Sequence, residues 1–128
     1  MENVEITWGQ RVHICNYFPK VGTLREMHIS RVMRGLLIEN ASAQDLATNG
    51  IVLNELGIYE IPTKNENRPS SISVDDEALD MFHEFIENMS VQRLVPLNFE
   101  TVFTEIETLW VEHHHDNAEQ EQPEPTDL

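Results

Sequence analysis

The stretch Val4-Glu5-Ile6-Thr7-Trp8-Gly9-Gln10-Arg11-Val12-His13-Ile14-Cys15-Asn16-Tyr17-Phe18 decides whether this chain contains a sheet. Its large apolar residues, Val4, Ile6, Trp8, Val12, Ile14 and Phe18, all fall on even positions. Glu5, Thr7, Arg11, His13 and Tyr17 fall on odd ones. Alternation with period two is the mark of a half-buried strand. Gly9 interrupts it and suggests a turn. A three-residue loop, Gly9-Gln10-Arg11, would oppose Trp8 to Val12 and Ile6 to Ile14 on one face, so a β-hairpin is expected. A single strand bulged at Gly9 is the alternative. Pro19 ends the strand because it offers no ladder donor.

Beyond Pro19 the period changes. Ile29, Val32, Met33, Leu36 and Leu37 recur at helical spacing, which predicts a helix over 24–40. Thr23 with Glu26 three residues later is a capping-box pair at its start. Ser42 with Asp45 predicts another helix start, ended near Asn49-Gly50. For the rest of 41–57 a further helical turn closing at Gly57 is expected, with a helix-turn-strand as the alternative. Ile58–Ile61 reads as a short strand stopped by Pro62. The polar stretch 62–73 reads as an exposed loop.

Two helices are expected to carry most of the core. Ser73 is the expected N-cap of the first, over 74–89, with stripe residues Ala78, Leu79, Phe82, Phe85, Ile86 and Met89. Asn98 is the expected cap of the second, whose stripe is Phe99, Val102, Phe103, Ile106, Leu109 and Trp110. Packed as an antiparallel pair, they would bury most of the aromatic area. The fold class that follows is α+β: a small N-terminal β-hairpin or sheet packed with three to four helices. A single domain over 1–113 is expected to precede a disordered acidic tail, 114–128, which lacks large apolar residues until its last position.

The 128 residues hold 8 Lys plus Arg against 23 Asp plus Glu, a net charge of −15. Residues 1–34 carry five basic and three acidic side chains, a net +2. Residues 35–128 carry three basic and twenty acidic, a net −17. Such a surplus of carboxylates argues against direct binding to nucleic acid or to an anionic membrane. The longest apolar run, Gly35–Ile38, is far too short to cross a bilayer. The opening residues have neither a basic nor an apolar signal region. With a single cysteine, Cys15, no internal disulfide is possible, and a cytoplasmic setting is expected.

The residues that carry chemistry do not assemble into a catalytic motif. His113, His114 and His115 are adjacent and therefore point in different directions, so they read as helix-end imidazoles rather than a ligand set. Cys15 has His13 nearby but no third, orienting group. His83 lies among Asp80, Glu84 and Glu87 on what reads as a solvated face. There is no CxxC, HExxH, GxSxG or phosphate-binding loop. No enzyme, no metal and no cofactor is expected.

What remains is binding. The acids Asp75, Asp76, Asp80, Glu84 and Glu87 on one helix, and Glu100, Glu105, Glu107 and Glu112 on the next, are the candidate partner-binding residues. They fit a non-catalytic adaptor or assembly chaperone that meets another protein through a basic surface, with a homodimer also possible. In size and layout the chain is similar to the tail-assembly chaperones of tailed phages, with no residue motif in common. The alternative is an inhibitor whose helix carboxylates imitate nucleic acid before a basic groove. A mimic needs both acidic faces on one continuous surface, whereas an adaptor exposes an apolar patch rimmed by charge.

Overall fold

The computed structural model describes the backbone of residues 1–121 and the side chains of residues 1–114. The N-terminal stretch divides at Thr7. Residues Glu2–Thr7 form strand β1, and Trp8–Tyr17 form helix α1. The switch is made by a capping box. Thr7 is extended, its Oγ1 accepts from Gln10 N at 3.1 Å, and its own N–H donates to Gln10 Oε1 at 2.9 Å. Two more first-turn N–H groups, of Trp8 and Gly9, donate to the carbonyls of Arg68 and Glu66. The expected Gly9-Gln10-Arg11 hairpin is therefore replaced by a helix start. Gly9 is small for a packing reason: a Cβ there would lie 2.7 Å from Glu66 O. The even-position pattern misled because pairs four apart, Trp8/Val12 and Ile14/Phe18, satisfy a helix as well as a strand.

β1 instead pairs with a distant strand, antiparallel, with Val4 opposite Ile72 and Ile6 opposite Ser70. That strand, β4 (Pro69–Val74), lies in the region expected to be an exposed loop. Its alternation is plain once paired: Ile72 and Val74 are buried, while Pro69, Ser71 and Ser73 are exposed. Ser73 Oγ donates to Asn3 Oδ1 rather than capping a helix, and Asp75 takes the cap, its Oδ1 accepting from Ala78 N at 2.8 Å.

Between the two strands, helix α2 (Leu24–Arg34) starts on the Thr23–Glu26 capping box. It continues through a π-helical turn, Gly35–Glu39, closed by Asn40 N to Gly35 O at 2.9 Å. Helix α3 (Ala43–Thr48) is capped by Ser42 and ends at Asn49. Residues 50–60 then form a hairpin rather than another helical turn. β2 (Val52–Leu53) pairs with β3 (Tyr59–Glu60), and Gly57 has φ +77° inside the connecting turn. Asn54 Oδ1 accepts from Leu56 N and Ile58 N and holds that turn closed. A 3₁₀ turn, Thr63–Asn65, leads into β4, and Asn65 is buried, donating to Asn49 O at 2.9 Å.

Helix α4 (Asp76–Val91) buries Ala78, Leu79, Met81, Phe82, Phe85, Ile86 and Met89. It ends with Arg93 at φ 59°, where Leu94 N donates to Met89 O and Arg93 N to Ser90 O, the pair of bonds of a Schellman motif. Helix α5 (Glu100–Glu121) follows a 3₁₀ turn, Leu97–Phe99, that opens after Pro96, so Asn98 is inside the turn and caps nothing. Ring contacts of Phe103 with Phe82, Phe85 and Phe99 tie α5 to α4. Contacts run from Asp76 with His113 to Phe85 with Phe103, so the two helices are antiparallel. The architecture is α+β: a two-stranded antiparallel sheet made with the N-terminus, and five α-helices among the described residues. The boundary expected between 113 and 114 falls inside α5. Residues 122–128 of the expected tail lie outside the described residues, as do the side chains beyond 114.

Candidate functional site

The seam between α4 and α5 gathers most of the chemistry. Its apolar side is sealed by the phenylalanines, so polar residues flanking the stripes meet along the outer edge. His83 Nδ1 lies 2.7 Å from Glu107 Oε2, and the His83 ring stacks on Trp110, centroids 3.6 Å apart and planes 7° apart. Trp110 also touches His114 at 4.2 Å. Its Nε1–H donates to Asp80 Oδ1 at 3.0 Å, and His114 Nε2 lies 2.8 Å from the same oxygen. His113 Nδ1 is 3.8 Å from Asp76 Oδ1. Partial burial raises the Asp80 carboxyl, but the hydrogen bonds from His114 and Trp110, with the nearby imidazole charges, bring it below its ordinary range.

The acidic residues singled out above have different partners. Asp75 is occupied as the α4 cap. Glu84 faces α2, where it accepts from Arg25 Nη2 at 2.9 Å. Asp76, Asp80 and Glu107 meet histidines of the seam. Glu87 is exposed and close to His83 and Glu107. Glu105 is half-buried on α5, away from these contacts. Glu100, Glu107 and Glu112 line an open trough of about 700 Å³ beside the seam, whose floor includes Ile86, Val95, Phe103 and Val111. Val111 is 56% exposed, so the trough presents apolar surface to solvent.

A second hollow, of about 280 Å³, lies where the end of α1 meets the end of α4. Phe18, Val21, Phe85 and Leu94 line it, and Glu26 is its acid. Glu26 is already bonded to Thr23 N as the α2 capping partner.

Cys15 is fully buried and burial pushes its thiol up to about 11, which disposes against nucleophilic use. The three-histidine run divides its contacts: His113 faces Asp76, His114 faces Asp80, and the side chain of His115 lies outside the described residues. His83 is not on a solvated face as expected. It is partly covered by Trp110 and bonded across the seam. No spacing within α4 announces those contacts, because they depend on where α5 lies.

A further residue had no signature in the sequence. Arg11, expected in a hairpin loop, is buried: Nε donates to Leu37 O at 2.7 Å, and the guanidinium lies 4.0 Å from the Trp8 ring centroid. Burial lowers its pKa, with the charge of Asp45 acting in the opposite sense. Among the described residues no helix is long and apolar enough to cross a membrane. Comparison of the chain with protein-family models, with curated proteins and with solved structures finds no match to any of them.

Proposed function

We propose that this protein is a non-catalytic adaptor or assembly chaperone that holds a basic, amphipathic segment of another protein in the α4–α5 trough. The observation that carries this reading is the pairing of Ile86, Val95, Phe103 and Val111 with a rim of Glu100, Glu107 and Glu112. Apolar floor gives contact area, and the carboxylates select and steer a basic partner. A net charge of −15 extends that steering beyond contact distance. The nucleic-acid-mimic reading has less support, because Asp75, Glu84 and Asp80 are each hydrogen-bonded within the fold.

The test is site-specific photocrosslinking in the native cell, with the crosslinker at Val111 and, as a control, at Leu53 in the β2–β3 hairpin. The expected result is one dominant protein adduct at Val111, absent at Leu53, weakened by raised salt. In the Glu100→Gln/Glu112→Gln variant that adduct falls at least several-fold. Adducts of equal yield and pattern at both positions, or an adduct indifferent to the two glutamine changes, would remove the trough as the binding surface.

A further inference from the structure

The residues beside the trough include a feature that partner binding does not require. His83 and Glu87 stand four apart on α4, so they project from the same side of the helix one turn apart. Glu107 reaches the same place from α5. One ligand atom from each of the three lies within 4.8 Å of the others. Among the described residues neither Glu87 nor Glu107 has a Lys or Arg within ion-pair distance. Two carboxylates therefore sit against one imidazole with no fixed cation to balance them.

We propose that His83, Glu87 and Glu107 bind a single divalent transition-metal ion of the zinc class, bridging α4 to α5 at the edge of their seam. The donor set is one imidazole nitrogen and two carboxylate oxygens, which suits a borderline ion. Tetrahedral zinc at about 2.0–2.2 Å from each donor keeps its ligand atoms roughly 3.4 Å apart. The 2.7 Å approach of His83 Nδ1 to Glu107 Oε2 opens slightly to admit the ion, and the outer limit of 4.8 Å closes by rotation of the exposed Glu87 side chain. To take the metal, His83 presents Nδ1 as a lone pair in its neutral Nε2–H tautomer and gives up the hydrogen bond to Glu107. Water fills the remaining position. Trp110, stacked flat on the imidazole, fixes the ring plane and covers one side of the site. The ion would lock two helices that otherwise meet through phenylalanine rings and hydrogen bonds. This site needs no partner, and it shares only Glu107 with the rim of the trough.

The test uses the full chain, stripped with EDTA and titrated with zinc chloride by calorimetry, together with a thermal melt. One equivalent of zinc is expected to bind and to raise the melting temperature. Glu87→Gln and Glu107→Gln, both folded by circular dichroism, are each expected to weaken binding tenfold or more. A variant with His113, His114 and His115 all changed to Gln is expected to keep the affinity within about twofold, which separates the site from the neighbouring histidine run. Failure to bind an equivalent of zinc, a loss of less than tenfold in both glutamate variants, or a loss confined to the triple-histidine variant would each overturn the proposal.

Discussion

Arg11 Nε donates to the backbone carbonyl of Leu37 at 2.7 Å, so a charged residue of α1 satisfies the π-helical turn that follows α2. The same guanidinium reaches Ser70 Oγ and Ser71 O of β4 at longer range and lies over Trp8. One side chain thus links three parts of the chain. Replacing Arg11 by Met keeps much of the volume but leaves Leu37 O without its donor. A loss of about 1–3 kcal/mol is expected, read as a lower urea midpoint with unchanged slope. A midpoint equal to that of the parent would show that the tether contributes nothing.

Gly9→Ala tests the reading of Gly9 as a contact glycine rather than a turn glycine. The new Cβ would meet Glu66 O at 2.7 Å and its Cβ at 2.8 Å, and both belong to the segment that satisfies the first turn of α1. The backbone must part, at a cost of about 1–3 kcal/mol. A variant as stable as the parent contradicts the contact.

Asp80 carries a pH-dependence. Its folded carboxyl lies below the ordinary value near 4, because the bonds from His114 and Trp110 outweigh the desolvation that pushes it up. The unfolded chain therefore binds the proton at higher pH than the folded one, and stability falls as pH drops through that range. The stabilising contribution is present above about pH 4 and disappears as the folded carboxyl becomes protonated. Asp80→Asn should thus lie below the parent in stability at pH 6 and converge on it in acid. A carbon-detected NMR titration placing Asp80 at or above the usual aspartate range would contradict this.

Cys15 is predicted to be inert. With its thiol raised to about 11 and no exposed surface, Ellman's reagent at pH 8 should react only after denaturant is added. Stoichiometric labelling of the native protein within the time taken by a free thiol would show that α1 opens readily.

The parts of the fold that were readable in advance are those whose instructions are local. Thr23 with Glu26 and Ser42 with Asp45 announce their helices within one turn, and both caps form. The α4 and α5 stripes are long enough for the 3.6-residue period to be unambiguous, and their phenylalanines are buried. Two misreadings have one origin. Ser70-Ser71-Ile72-Ser73 looks like a loop until Val4 and Ile6 lie beside it, and Val4–Phe18 looks like a hairpin until the segment around Glu66 receives the first turn of α1. Each needs a partner about sixty positions away. The candidate site divides the same way. Acid-rich faces were visible as residue types. The meeting of His83 with Glu107, and of Asp80 with Trp110 and His114, depends on the register between two helices, which no single helix encodes.

The β1–β4 ladder has a consequence for how the molecule is made. Across it the Ser70 hydroxyl donates to Ile6 O at 2.6 Å, and the two residues stand 64 positions apart. Until β4 has been synthesised, β1 has no strand to pair with. The ladder from Glu2 to Thr7 cannot be completed until residue 74 clears the exit tunnel. Closure of that ladder is a slow, non-local step, and a truncated product ending before Pro69 leaves β1 with an unclasped, adhesive edge.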